Sequence, residues 1–254
     1  MDSLVGFQSL VKREIIRFTS VFMQTILPPV VSSFLYIFIF GLFVGQKLEN
    51  IHGVSYLTYL IPGLMMMYLI EGAYLNTSTS LFVSRWAGHI QEILITPLSY
   101  FEMVLAMIIG GLARSMVEAV CIFCVSLLFV QFPIAHPFVV FYFAIFVSLS
   151  FSCFGLIVGL IAEEFEHLSI STTFIVYPFI YLGGVFHSIT MIPPYLRGLM
   201  YLNPIFYMMN GIRYGMLDVS EANPVTSMAV VFIFFIILFS ATVFMFKTGY
   251  KLRK

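Results

Sequence analysis

The sequence has little charge. Only 9% of its 254 residues are Asp, Glu, Lys or Arg, whereas 61% are hydrophobic, and the mean hydropathy is +1.03. Soluble domains are about half apolar and about a quarter charged, so this chain lacks the polar side chains needed to cover a surface in water. Twelve Lys and Arg balance twelve Asp and Glu, which leaves no basic stripe for nucleic acid. The composition excludes a nucleic-acid-binding protein and indicates an integral membrane protein.

Cysteines and catalytic motifs are also scarce. The three cysteines all lie in apolar runs, so they indicate no disulfide framework. The sequence has no Gly-Lys pair and therefore no phosphate-binding loop, and it has no HExxH or GxSxG pattern. Its five histidines are scattered. We therefore expect no catalytic site, metal site or cofactor in this chain, and no energy source of its own.

Long apolar runs recur along the whole sequence. A helix crosses a bilayer with roughly 20 mostly apolar residues, and continuous runs predict helices rather than barrel strands. Patterns such as Gly155-x-x-x-Gly159 and Gly211-x-x-x-Gly215 predict close helix contacts. We therefore predict an all-α integral membrane fold, a single domain over 1–254. Its six transmembrane helices are predicted at about 21–44, 56–82, 101–130, 137–162, 168–186 and 225–246.

The cations predict the orientation of these helices. With the N-terminus inside, eight of the twelve Lys and Arg lie in inner segments and three in outer segments, while Arg114 lies within a span. Cytoplasmic loops of membrane proteins are enriched in Lys and Arg. Both termini are therefore predicted to be cytoplasmic.

The segment before the first span is amphipathic. Residues 3–18 carry apolar side chains at helical spacing, with Lys12, Arg13 and Arg17 mostly on the other side. This pattern predicts an N-terminal interfacial helix. The helix is either a membrane-surface anchor or a lever that carries motion from a cytoplasmic partner into the first span. The sequence favours the anchor, because amphipathicity indicates only location.

The inner connector after the second span is the more informative one. Residues 84–95 (SRWAGHIQEILI) predict a short helix along the inner face, and Ser99 with Glu102 forms a capping-box pattern that begins the third span. The short helix is either a plain connector or a docking element for a soluble subunit. Its polar and aromatic residues are Arg85, Trp86, His89 and Glu92.

The longest outer loop has an unusual composition. Residues 189–215 are largely apolar and aromatic, but Pro193-Pro194 and Asn203-Pro204 interrupt helical continuity. We predict a re-entrant hairpin of two short helices that dips into the outer leaflet. Irregular backbone at that depth must be buried in protein or line a cavity, so this hairpin is a candidate outer gate.

Three ionisable residues lie deep within predicted spans. Arg114 and Glu118 have the i,i+4 spacing of an ion pair, for which a structural role is the simpler interpretation. Glu71 has no evident partner in its own helix. A substrate-path or inter-subunit role and a structural hydrogen bond are equally compatible with its position.

The order of these segments resembles the membrane subunit of ABC-2 type transporters, which are bacterial permeases of the ABC superfamily. The resemblance covers essentially the whole chain, and the block from the fifth span into the outer hairpin is its most distinctive part. The residues that carry it are EILITPLS at 92–99, LGGVFHS at 182–188, Pro193-Pro194, LNP at 202–204, GIRY at 211–214, Gln24 with Pro28-Pro29, and Pro62-Gly63.

The resemblance implies an exporter in the bacterial inner membrane, with a type V exporter-like fold. It implies a homodimer docked to two ATP-binding subunits, which would bind the ATP and magnesium. Residues 84–95 would then be the coupling helix, and Arg85, Trp86, His89 and Glu92 would contact the ATPase. The candidate path residues that it implies at the dimer interface are Glu71, Tyr74, Thr173, Tyr177 and Tyr181.

A rival hypothesis is an autonomous channel or an ion-coupled secondary transporter. It would use Glu71 and the Arg114–Glu118 pair as an ion relay. Such a relay needs a chain of titratable groups across the membrane, and the sequence offers only these three at depth. This hypothesis also assigns no function to the inner connector.

Overall fold

The computed structural model describes residues 3–45, 50–131 and 134–252, and within these ranges it contains helices and no β-strand. Lys47, Arg253 and Lys254, which enter the count of cations, lie outside the described residues. The helices are α1 (Ser3–Ser20), α2 (Phe22–Thr25), α3 (Leu27–Ile39), α4 (Tyr56–Trp86), α5 (Ile90–Leu94), α6 (Tyr100–Ser126), α7 (Pro137–Ile161), α8 (Phe165–Ser171), α9 (Tyr177–Leu182), α10 (Arg197–Leu202), α11 (Pro204–Leu217) and α12 (Pro224–Thr248).

Four helices in the described part of the chain are long and apolar enough to cross a membrane. They coincide with the first, third, fourth and sixth predicted spans. The second predicted span lies in α4, whose apolar residues are interrupted by polar ones, and the fifth lies in a helical segment that a π-helical turn divides between α8 and α9. Six spans therefore stay a prediction. The four helices are Phe22–Ile39, Tyr100–Ser126, Pro137–Ile161 and Pro224–Thr248.

The central helix is α4. Its 31 residues give a length of roughly 46 Å, which exceeds the roughly 30 Å hydrocarbon core of a bilayer. Most of its side chains are buried, and it packs mainly against α6 and α7. Its first turns lie beside α11, and its last turns lie beside α1 and the end of α7. We refer to these two regions as the α11 end and the α5 end of the protein.

Glycines allow the helices around α4 to approach closely, as the small-residue patterns predict. A Cβ added at Gly155 would meet the carbonyl oxygen of Tyr74, and one added at Gly159 would meet that of Ser78. On the other side of α7, Gly211 of α11 lies against the ring of Phe143. Backbone contact of this kind holds helices together where water exclusion cannot.

Helix α1 lies where the interfacial helix is predicted. The face that it buries, however, is not simply the face on which its apolar side chains recur. Leu10, Glu14 and Phe18 are buried at four-residue spacing, whereas Leu4 and Ile15 are exposed. The carboxylate of Glu14 is therefore part of the packed face. The reason is that this face contacts polar side chains of α4, described below, rather than an apolar surface alone.

Candidate functional site

The connector after α4 is not the single helix that the sequence predicts over 84–95. Arg85 and Trp86 belong to the last turn of α4, Gly88 turns the chain with φ +79°, and α5 has five residues. Ser99 then begins α6 with both hydrogen bonds of the predicted capping box to Glu102. The break occurs because Gly88 adopts a left-handed conformation, which ends a helix at little steric cost.

Helix α5 presents one apolar face inward and polar side chains outward. Ile90 and Ile93 are buried in an apolar cluster that includes residues of α1 and α6. His89 and Glu92 are exposed and lie on one side, with Nδ1 and Oε1 3.5 Å apart. A one-turn helix does not persist in isolation, so its position is set by the two buried isoleucines.

Large apolar side chains are exposed on both sides of α5. Trp86 is 71% exposed and Ile95 is 83% exposed. Trp86 is a candidate docking residue from the sequence, whereas Ile95 is not, because an isoleucine next to an apolar helical pattern is normally assigned to the buried face. Exposed apolar side chains rimmed by polar ones are typical of sites that contact a protein or a membrane. Trp86, His89, Glu92 and Ile95 form what we call the α5 surface.

The docking role of Arg85 stays a prediction, but its guanidinium already has partners within the chain. Its guanidinium donates hydrogen bonds to the carbonyl oxygens of Gly159 at 2.7 Å and Ala162 at 3.1 Å. These carbonyls lie at the C-terminal end of α7, where helical carbonyls lack intrahelical partners and favour a cation. Arg85 is half-buried, and it joins α4 to α7.

A polar cluster joins α1 to α4 at the α5 end. The Glu14 carboxylate accepts a hydrogen bond from the Ser80 hydroxyl at 2.8 Å and pairs with Arg13 at 2.7 Å. Arg17 donates to both the backbone and side-chain oxygens of Asn76, at 2.7 and 2.8 Å. Charge-assisted hydrogen bonds between two buried helix faces fix their relative position. The cluster attaches the first helix firmly to the central one.

The predicted path residues occupy different environments. Tyr177 donates a hydrogen bond to Glu71 at 2.9 Å, and its ring stacks on that of Tyr181 with centroids 5.9 Å apart. Thr173 and Tyr181 are exposed. Tyr74 is fully buried, and its hydroxyl donates to the carbonyl of Leu168 at 3.3 Å. Tyr74 therefore does not line an open path in this structure.

Arg114 and Glu118 form a buried ion pair within α6. Their Nε and Oε1 atoms are 2.8 Å apart, and Arg114 also lies 3.4 Å from the carbonyl oxygen of Thr25. The other carboxylate oxygen of Glu118 has no hydrogen-bond partner among the described residues. This oxygen occupies the space that a Cβ atom at position 72 would need. The glycine in α4 thus makes room for the carboxylate.

At the α11 end, a buried arginine holds the loop after α9, which is predicted to be an outer loop. Arg213 donates to the carbonyl oxygens of Gly184 at 2.5 Å and Val185 at 3.0 Å, and its guanidinium lies 3.8 Å from the ring centroid of Tyr59. The Tyr59 hydroxyl in turn donates to Glu221 at 2.8 Å. Tyr59 therefore links a buried cation to a buried carboxylate.

Sequence reasoning counts Arg213 among the outer cations and misses this role. Its partners are backbone carbonyls and an aromatic face, which give no charge pattern to detect. A basic residue inside the otherwise apolar stretch 205–216 is the one signal that points to a buried position. Asn210 in the same stretch is also buried and binds the loop at Glu221 and Ala222 through its side chain.

The predicted outer gate contains two kinds of residue. Asn203 is buried, donates to the carbonyl of Phe179 at 2.6 Å, and caps α11 by accepting from Ile205 at 3.0 Å. Pro204 is the first residue of α11, a position that suits proline. Pro193 and Pro194 lie exposed around a short 3-10 turn.

These features define a multi-pass membrane protein in which the exposed α5 surface rests on a firmly packed helix face. No group of catalytic residues is identified in the described part of the chain. The sequence matches the family model described as ABC-2 type transporter over residues 5–217. The chain belongs to the ABC-2 type transporter family. It is a permease-type subunit, the membrane component of an ABC transporter, in which a separate subunit hydrolyses ATP.

Curated relatives support this assignment. The chain is 35% identical to the inner membrane transport permease YadH of Escherichia coli strain K12, over 98% of this chain and 97% of the relative. It is 24% identical to the probable multidrug ABC transporter permease YbhR of the same strain, over 60% of this chain and 42% of the relative. It is 21% identical to nodulation protein J of Neorhizobium galegae, over 85% and 83%.

Proposed function

We propose that this chain is the permease of an ATP-driven exporter and that an ABC ATP-binding subunit docks on the α5 surface. The observation that supports this most directly is the exposure of Trp86 and Ile95 on either side of a helix whose inner face is firmly buried. A motor subunit needs a surface that is open to the cytosol and rigidly connected to the spans. The α5 surface is exposed and directly connected to α4, and the distribution of cations predicts that it faces the cytosol.

The route from this surface into the membrane is short. Trp86 is the last residue of α4, so a displacement of the α5 surface acts directly on the central helix. Arg85 carries the displacement to α7, and the Glu14–Ser80 bond carries it to α1. The partner would bind the ATP and magnesium, because this chain contains no phosphate-binding loop. On this proposal the lever interpretation of α1 replaces the anchor interpretation.

The distribution of cations supports the proposed orientation, and the family supports the proposed assembly. Placing the α5 end in the cytoplasm puts both termini there and satisfies the bias of Lys and Arg. We propose a homodimer with two ATP-binding subunits in the bacterial inner membrane. The exposed aromatic face of α3 and α9, where Tyr181 lies beside Phe186 and Tyr177 beside Glu71, is then the side that meets the second copy.

The proposed cargo is a hydrophobic, amphipathic or glycan- or lipid-like molecule. Tyr177, Tyr181 and Thr173 offer ring faces and hydroxyls, and Glu71 is a partly accessible carboxylate in an otherwise apolar surround. Such a lining suits molecules with both apolar and hydroxyl-bearing parts. The relative named as a probable multidrug permease is compatible with this class.

The channel or ion-coupled carrier remains the alternative, with Glu71 and the Arg114–Glu118 pair as its relay. The pair is closed within the protein: Arg114 contacts Glu118 and a backbone carbonyl, and Gly72 of α4 covers the carboxylate. A buried pair of this type behaves as a packing element. The permease therefore fits the described contacts better than the relay.

The test is co-purification of the ATP-binding subunit from membranes that contain tagged permease. Trp86→Ala and Ile95→Ala each remove an exposed apolar side chain, and we expect roughly tenfold weaker retention, as for hot-spot residues. Trp86→Phe should retain most binding. Tyr195→Ala is the matched control, because Tyr195 is equally exposed but lies in the predicted outer segment.

Equal retention of the subunit by all four variants would refute docking at the α5 surface. The alternative is tested in proteoliposomes that contain the permease alone and a pH-sensitive dye inside. Proton flux without any ATP-binding subunit, abolished by Glu71→Gln, would support the carrier. No flux is the result that the permease proposal expects.

A further inference from the structure

The last described residues fold back toward α5. Helix α12 ends at Thr248, and Gly249 then adopts a left-handed conformation with φ +69°. Lys251 is also left-handed, with φ +51°, a conformation that a lysine adopts only when contacts hold it there. Leu252 follows and is 3% exposed. The chain reverses so that this leucine can be buried.

Leu252 is buried beside α5. It belongs to the same apolar cluster as Ile90 and Ile93, the two residues that form the inner face of that helix. Leu252 also lines one cavity together with Ile90, Trp86 and Arg85. Leu252 thus shares one cavity with Ile90, whereas Leu10 of α1 shares a different cavity with Ile93.

Lys251 binds the same helix end that Arg85 binds. Its ammonium group lies 2.7 Å from the carboxylate of Glu163 and 3.4 Å from the carbonyl oxygen of Ile161, at the C-terminal end of α7. Arg85 donates to neighbouring carbonyls of that end. Two cations, one from each side, thus meet the negative end of one helix dipole.

We infer that Lys251 and Leu252 are positioning residues that hold the α5 surface in register with α4 and α7. This inference rests on the proposed function, since register matters only if a partner pushes on that surface. With five residues, α5 cannot maintain its own position. Packing by α1 restrains it, and so does the Lys251–Leu252 segment.

The test uses amide hydrogen exchange of the full-length permease in lipid nanodiscs. In Leu252→Ala, the amides of residues 90–94 should exchange roughly three- to tenfold faster, because local opening becomes easier. Lys251→Glu and Glu163→Lys should act in the same direction. The double variant K251E/E163K restores the pair of opposite charges but places a carboxylate at the negative end of α7, so it should recover only part of the wild-type protection. Lys247→Glu, an exposed residue near the end of α12, is the matched control.

A second measurement separates this inference from the proposed function. Wild-type permease that retains no ATP-binding subunit refutes the proposed function, whatever the exchange data show. If the subunit is retained and the exchange of residues 90–94 is unchanged in Leu252→Ala and Lys251→Glu, the inference is wrong. Faster exchange that extends equally to residues 103–108 of α6 also refutes it, because it would indicate general destabilisation. Normal α6 exchange with faster 90–94 exchange supports it.

Discussion

Glu14 of the first helix accepts a hydrogen bond from Ser80 of the central helix, at 2.8 Å. The two residues are far apart in sequence, and the carboxylate is fully buried. An amphipathic helix that only floated on the membrane would keep such a carboxylate in water. The bond therefore holds α1 against α4, which is what the proposed lever role of α1 requires.

Glu14→Ala should destabilise this joint. The substitution removes the acceptor for Ser80 and the partner of Arg13 and Arg17, at a cost of about 1–3 kcal/mol. SDS-induced unfolding in mixed micelles measures this cost. Lys12→Ala, two residues away on the exposed face, should lie within about 0.5 kcal/mol of wild type. Equal stability of both variants would show that the buried carboxylate contributes nothing.

The Arg114–Glu118 pair should behave as a structural unit. Glu118→Ala leaves a buried guanidinium without its carboxylate and is expected to cost about 3–5 kcal/mol. Gly72→Ala should also destabilise the protein, since its Cβ would collide with Glu118. In the double variant G72A/E118A the collision is absent, so the two costs should not add. Strict additivity, measured by the same unfolding assay, would contradict the contact.

Arg213→Lys is not a conservative change at the α11 end. A lysine cannot bind the carbonyls of Gly184 and Val185 while it stacks on Tyr59, because it lacks the planar fork. We expect a loss of about 2 kcal/mol. Proteolysis of the loop after α9, applied from the outer side, should be faster in this variant. Arg197→Lys serves as the comparison: Arg197 also donates to loop carbonyls, those of Ile192 and Thr190, but it is more exposed, so this variant should be cleaved more slowly than Arg213→Lys.

Acid should loosen the outer loop. Burial, and then the nearby charge of Arg213, lower the pKa of His187. Protonation is therefore easier in the unfolded loop, and stability falls as the pH drops below the ordinary histidine value. The loss is at most about 1.4 kcal/mol per pH unit for one proton.

Glu221 responds only at lower pH. Burial raises its pKa, but the hydrogen bonds it accepts and the charge of Arg213 outweigh burial and lower it overall. The contribution of Glu221 to stability is thus retained above the ordinary glutamate pKa and lost as the pH falls through its folded pKa.

Between pH 7.5 and 5.5, His187→Gln should flatten the pH dependence of loop proteolysis. His187→Gln and its reference protein both carry His52→Gln, which removes the imidazole that lies 3.4 Å from Glu221. An unchanged slope in His187→Gln would contradict this assignment.

The sequence was sufficient for features that depend on neighbouring residues. The apolar runs locate the long helices to within a few residues, and Ser99 and Glu102 form the predicted capping box because their spacing alone determines it. The glycine pairs likewise mark contact faces. Local spacing is enough in each case, since the partner is a few residues away or is any helix backbone.

Long-range partners explain what the sequence could not reveal. Arg85 and Arg213 look like solvent-facing cations, but their acceptors are carbonyl oxygens at distant helix and loop ends. Glu14 looks like a surface charge because its partner on α4 is neutral. Tyr74 is of a residue type that suits a substrate path, yet helix packing buries it completely. None of these contacts leaves a periodic or paired signal in the chain.

The central claim is that an ATP-binding subunit engages the α5 surface, and site-specific photo-crosslinking in cells tests it most directly. A photoreactive residue is placed at position 86 or, as the matched position, at 195, both of which are highly exposed. The account predicts adducts that contain the ATP-binding subunit from position 86 and none from position 195. Adducts from position 195 alone, or labelling of position 86 by a reagent confined to the periplasm, would contradict it.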